Sequence, residues 1–221
     1  GAYQPVIHLQ NGRWIAYVGH HGGSAVNPLT GAREDNGTSL LDVTDPSRPR
    51  LAARVALPPG AIDVTAGSND TAGWFAVVGS TGSGGYLMTV DARNAAVPES
   101  TRLDLGDVRP VGVAVTGRRA VVQLSRADAS AVLIVLLDRP DQPAPGGTTG
   151  GLAPAIGVGG VAAARDRAFV LTTDGLSVID VTGREPRVVG ETSVGFNGGE
   201  PAFVAAVGSN VWVGSRQGEV L

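Results

Sequence analysis

The chain has no cysteine and no lysine. Without cysteine there is no disulfide, no zinc–thiolate site and no thiolate nucleophile. The 17 basic residues are all arginine, and 20 acidic residues leave a formal charge of −3. The arginines are scattered along the chain. A nucleic-acid footprint needs clustered positive charge, so DNA and RNA are excluded as expected partners. No apolar run reaches the roughly 20 residues that a bilayer-spanning helix requires, so no transmembrane segment is expected. The arginine-only basic complement, with abundant Ala and Gly, points to a GC-rich bacterial source. The chain opens at Gly1-Ala2 without Met, which suggests processing or excision from something longer.

What is abundant is glycine, with 33 residues, alongside 14 prolines in a chain of 221 that is 43% hydrophobic. Gly and Pro break helices but serve tight turns. Frequent Val, Ile and Leu argue against disorder. A chain of this length can bury a core of its own. The composition therefore predicts many short strands and no long helix.

An apolar run ending near an aspartate recurs four times: Leu40-Leu41-Asp42, Leu87-Met88-Thr89-Val90-Asp91, Leu133 to Asp138, and Leu176-Ser177-Val178-Ile179-Asp180. The aspartates stand 49, 47 and 42 residues apart, the length of one four-stranded propeller blade. A second apolar run precedes each, as in Trp14 to Gly19, Trp74 to Gly79, Ala120 to Leu124 and Ala168 to Leu171, and a fifth copy is Val211 to Gly214. A weaker inner strand opens each unit, for example at Pro110 to Val115 or Pro201 to Val207. Pro49, Pro98, Pro143 and Pro186 follow the aspartates. Proline suits turns and edge strands, so an outer strand is expected after it. In the third unit, Pro140 to Gly151 is so rich in Pro and Gly that a long loop is expected there instead. The aspartates are expected to cap turns by accepting backbone amide hydrogens, and the three tryptophans to lie in the core.

The stretch Asp174 to Thr182, continuing to Pro186 and Gly190, and the stretch Ser39 to Pro49 resemble the bacterial LVIVD repeat. That resemblance implies a β-propeller scaffold and no particular activity. The second and third units depart from it, since Asp91-Ala92-Arg93 and Asp138-Arg139-Pro140 lack the Asp-Val-Thr pattern. The expected fold is thus all-β: one β-propeller over residues 1–221, with four complete units of four antiparallel strands and a partial fifth. The half-finished fifth unit suggests an excerpt of a larger propeller.

The most unusual segment is Gly19 to Gly37, a long connection inside the first unit. Binding groups concentrate on such loops. All three histidines, His8, His20 and His21, fall in or near it, with Asn27, Glu34 and Asp35 in the loop itself. His8, His20, His21, Asn27, Glu34 and Asp35 are the candidate binding residues. Imidazoles beside carboxylates suit iron, copper or zinc, which makes His8, His20 and His21 candidate metal ligands. The plainer account is a Gly-rich loop whose histidines bond its own backbone. Adjacent residues of an extended strand point to opposite faces, which weighs against His20 and His21 sharing one ion.

Two glycine-rich stretches imitate other motifs. Gly157 to Ala162 matches a dinucleotide-binding pattern, but a strand rather than a helix follows it. It reads better as an inner strand with glycine near the axis. Gly79 to Gly85 lacks the endings of a phosphate loop or a nucleophile elbow and reads as a flexible hairpin loop. Two functions follow. One is a non-catalytic binding or scaffold module, extracellular or periplasmic, that recognises a protein or an extracellular polymer. The other is a propeller enzyme with a metal or redox cofactor on the histidine cluster.

Overall fold

A computed structural model describes residues 6–10, 12–20, 37–59, 61–69, 74–91, 93, 97–157, 160–195, 200–218 and 220–221. The described residues hold eighteen strands and no helix. The first sheet is β1 (Val6–Gln10), β2 (Arg13–His20), β3 (Gly37–Asp42) and β4 (Arg50–Ala56). The second is β5 (Ile62–Asn69), β6 (Trp74–Thr81), β7 (Gly84–Asp91) and β8 (Glu99–Gly106). The third is β9 (Arg109–Thr116), β10 (Arg119–Ser125), β11 (Ser130–Leu136) and β12 (Ala144–Leu152). The fourth is β13 (Val161–Ala164), β14 (Arg167–Thr172), β15 (Gly175–Asp180) and β16 (Arg187–Thr192). The fifth pairs β17 (Pro201–Val207) with β18 (Asn210–Ser215). In every sheet the strands run antiparallel in chain order. This is the four-plus-partial propeller arrangement that the repeat predicts.

The sheets stack face to face, and this explains the apolar runs. A strand covered on both faces needs apolar residues at every position, not at alternate ones. In β6, Phe75 and Val77 pack toward the first sheet, and Trp74, Ala76 and Val78 toward the third. In β10, Ala120, Val122 and Leu124 face the second sheet and Val121 the fourth. Four apolar layers result, one between each pair of neighbouring sheets. In the first layer the Tyr17 and Phe75 rings stack with centroids 3.9 Å apart.

The strands that open successive sheets, β1, β5, β9, β13 and β17, touch one another in turn and line the inner side of the arc. Glycine permits this approach. A Cβ on Gly67 of β5 would lie 2.8 Å from the Val113 carbonyl oxygen of β9. One on Gly112 of β9 would lie 2.7 Å from Val161 Cγ1 of β13. A buried polar link adds to it: the Gln123 side-chain amide of β10 donates to the Leu171 carbonyl of β14 at 3.0 Å.

Two expectations need correcting. The segment after Pro143 is no loop; it forms β12, nine residues long, paired with β11. Its glycines serve close contact: Gly147 N–H donates to the Arg184 carbonyl at 2.8 Å, and a Cβ there would fall 2.5 Å from Glu185 Cγ. Nor are all three tryptophans in the core. Trp74 is 5% exposed, between two sheets, whereas Trp14 is 47% and Trp212 46% exposed. Trp14 shares with Ile7 and Leu9 the face of the first sheet that points away from the second. Trp212 and Val207 lie on the face of the fifth sheet that points away from the fourth. The fifth sheet has the start of a third strand, since Leu221 and Val213 exchange backbone hydrogen bonds beside the Gly214–Val220 bridge.

Phe75→Ala should cost about 3–5 kcal/mol in chemical denaturation, the range for emptying a large aromatic site in a core. Gly67→Ala should cost about 1–3 kcal/mol, because its methyl meets backbone that cannot rotate away. Gly150→Ala, with nothing within 4 Å of its Cβ, should be close to neutral. Equal effects of the two glycine changes would refute the close-approach account.

Candidate functional site

Antiparallel chain order gives each sheet two different ends. The links between first and second strands and between third and fourth strands gather at one end. The links between second and third strands, and the crossings to the next sheet, gather at the other. Both ends carry clefts, and one of about 730 Å³ opens at the first end, lined by Trp74, Asp91, Arg93, Arg118, Asp138 and Asp141 among others.

The first end carries the repeated aspartates, and their role is structural. Asp42 Oδ1 accepts the Thr44 amide hydrogen at 3.0 Å, Asp91 Oδ1 that of Arg93 at 3.0 Å, and Asp180 Oδ1 that of Thr182 at 2.9 Å. Each closes a turn two residues on. The Thr182 hydroxyl also donates to Asp180 at 2.7 Å, and Arg167 pairs with it at 2.8 Å. Asp138 departs from the pattern. Leu136 stands opposite Arg119 as Asp180 stands opposite Arg167, so Asp138 falls two residues later and faces Arg118 at 4.0 Å instead.

Hydrogen bonds hold three of these carboxyls below the usual carboxylate range. The Thr44 hydroxyl and amide act on Asp42, the Arg93 side chain acts on Asp91, and the Thr182 hydroxyl and amide act on Asp180. A depressed folded-state pKa stabilises the fold at pH above the unfolded value, and that gain is lost as pH falls through the folded value.

The opposite end is the candidate binding face. The long connection 21–36 leaves and rejoins the first sheet here, between His20 and Gly37. His21, Asn27, Glu34 and Asp35 lie outside the described residues. His20 ends β2 opposite Gly37, while His8 sits in β1 opposite Ile15. Five ladder positions separate His8 from His20, about 16 Å along the strands at the usual rise. The register therefore does not bring these two backbone positions together. Among the described residues no three His, Asp or Glu side chains are grouped to hold a metal ion.

Two clefts open at this end. One, of about 590 Å³, lies between the second and third sheets. Its lining includes Ser80, Thr81, Gly82, Asp107, Arg109 and Arg126. The other, of about 340 Å³, is lined by Gly151, Ala153, the Thr172 to Ser177 hairpin and Glu191 to Ser193. The stretch Gly79 to Gly85, expected as a flexible loop, is almost wholly strand, with only Gly82 and Ser83 in the turn. Thr81 Oγ1 accepts the Ser83 amide hydrogen at 3.2 Å and lies 2.9 Å from Ser83 Oγ, so the turn is tied to itself. The dinucleotide imitation Gly157 to Ala162 includes two residues outside the described set. The strand β13 begins at Val161, and Gly160 is pressed against Gln123. Sequence reading missed the clefts because their walls come from residues tens of positions apart. The single signal for them was the polar Ser80-Thr81-Gly82-Ser83 turn.

The fold and these two ends define an all-β protein of propeller architecture. A solved structure agrees. The apo structure of AztD from Citrobacter koseri matches with a TM-score of 0.50 at 18% identity, over 96% of this chain and 53% of that one. The chain thus spans about half the length of that protein. A crystal structure of α-L-arabinofuranosidase from Lactobacillus brevis matches with a TM-score of 0.45 at 15% identity, over 95% of this chain and 77% of that one. No protein-family model and no curated protein matches the sequence.

Thermal unfolding followed against pH tests the aspartate turns. The melting temperature should fall as pH drops below about 4, the ordinary carboxylate value. Asp42→Asn, Asp91→Asn and Asp180→Asn combined should lower it at neutral pH and flatten the acid slope. An unchanged slope would show that other carboxylates govern acid unfolding.

Proposed function

We propose that the chain is a non-catalytic binding module that recognises a protein or an extracellular polymer through the loop-bearing ends of its sheets. One observation carries this reading. Two polar clefts share one end of the scaffold with the longest connection of the chain, while the aspartate-turn end holds one cleft, of about 730 Å³, and only short connections. Rigid sheets presenting loops at one end are a common arrangement for recognition. The setting proposed for it is outside the cell or in the periplasm of a bacterium, in keeping with the resemblance to LVIVD repeats.

A second reading, an enzyme holding a metal or redox cofactor on His8, His20 and His21, draws on one placement. His20 ends β2 at the loop-bearing end. The distance of His8 along the ladder weakens it.

Affinity electrophoresis through alginate, polygalacturonate, xylan and arabinan tests the first reading, with amide hydrogen exchange on any polymer that retards the protein. Protection is expected at 81–84, 107–109 and 172–175 and not at 43–48 or 117–118, with no new reducing ends in the polymer. Release of reducing ends would favour the enzyme, as would stoichiometric metal that is lost on His20→Ala.

A further inference from the structure

The cleft between the second and third sheets carries a more specific assignment. Its floor is made of the last layer of inter-sheet packing. Ser80 continues the row Trp74, Ala76, Val78 along the face of β6 that meets the third sheet, and Leu124 of β10 lies across from that row. At this point the row turns from apolar to polar. Ser80 is 6% exposed, and its buried hydroxyl has no hydrogen-bond partner among the described residues. A buried hydroxyl left unsatisfied is costly, so a polar group arriving in the cleft has a reason to stay.

The walls add charge. Arg109 opens β9 and pairs across the ladder with Ser125 of β10, and Arg126 follows directly. Two guanidinium-bearing residues therefore stand on adjoining positions of one rim. Asp107, the single carboxylate of the lining, stands on the crossing between the sheets, so the lining carries a net charge of +1 although the chain as a whole is −3. The opposite rim is the self-tied Thr81 to Gly84 turn, which presents hydroxyls and a glycine.

We infer that this cleft binds the carboxylate of an acidic sugar residue, with Arg109 and Arg126 on the carboxylate and Ser80, Thr81, Ser125 and Asp107 on its hydroxyls. Guanidinium is the side chain best shaped for a carboxylate, which it can grip with two parallel N–H donors. A hydroxyl-rich ligand fits better than a protein loop. Protein hot spots are built on buried aromatic and apolar anchors, and the cleft offers only Leu124 and Val108. The assignment rests on the binding-module reading and narrows it to anionic polysaccharide.

Calorimetric titration of the full chain with tetragalacturonate tests it, with the methyl-esterified tetramer and a tetraglutamate peptide as comparisons. The acid form should bind at least tenfold more tightly than the ester, which keeps the hydroxyls and loses the charge. Its affinity should fall as salt rises. Arg126→Gln should weaken binding at least tenfold while leaving the melting temperature within a degree or two, and adding Arg109→Gln should weaken it further. Gly82→Tyr should abolish binding by steric block. The fold should tolerate that change, since nothing lies within 4 Å of the Gly82 Cβ position. The inference is overturned by equal binding of acid and ester, by unchanged binding in the arginine variants, or by tetraglutamate binding as tightly as the sugar. It is also overturned by no binding at all; the broader reading is judged separately, by where a retained polymer protects the amides.

Discussion

The structure depends on one contact repeated four times: the apolar face of one small twisted sheet laid against the next. No single sheet could stand alone, because each has a second strand whose residues are apolar on both sides. Such a strand is covered on both faces only in the second, third and fourth sheets, each of which supports two neighbours, while the first and fifth have one neighbour each. The hydrophobic term here is spread across layers, each built from two sheets that are consecutive in the chain. Contacts of this kind join residues about one repeat apart and keep the folding problem local.

Smaller devices set the geometry that this contact leaves free. Glycines at Gly67 and Gly112 let the inner strands approach backbone to backbone, which fixes the tight side of the arc. Gln123 ties the third sheet to the fourth by a hydrogen bond in a dry layer, where register would otherwise rest on packing alone. At the outer side, exposed strands such as β8 and β16 alternate or lose burial altogether, as expected where one face meets water. The aspartate turns then return the chain from the buried third strand to the exposed fourth.

The central strands were legible in the sequence because double burial writes an unbroken apolar run, and the spacing of those runs gave the sheet count. Outer strands were legible where a proline announced them. The exception was β12, whose Pro and Gly residues imitate a loop. Its glycines answer to the close approach of residues 184 and 185, a constraint absent from local composition. Trp14 and Trp212 were misjudged for a related reason: whether a strand residue is covered depends on the neighbouring sheet, not on the strand. The proposed binding face was legible only as a long polar connection. Ser80, Arg109 and Arg126 are scattered in the chain, and it takes the sheet packing to set them round one cleft. His8 shows the converse, since nearness in sequence to His20 is undone by the ladder register.

The alternation along the second strands has a further consequence. Ala120 and Val121 are chain neighbours, yet they belong to different joints of the molecule, while Val122 and Leu87 share a joint across 35 residues of sequence. Disturbance at one joint therefore reaches the next through the thickness of a single strand, not along its length. Positions that share a joint lie roughly a repeat apart, and adjacent positions answer to different joints.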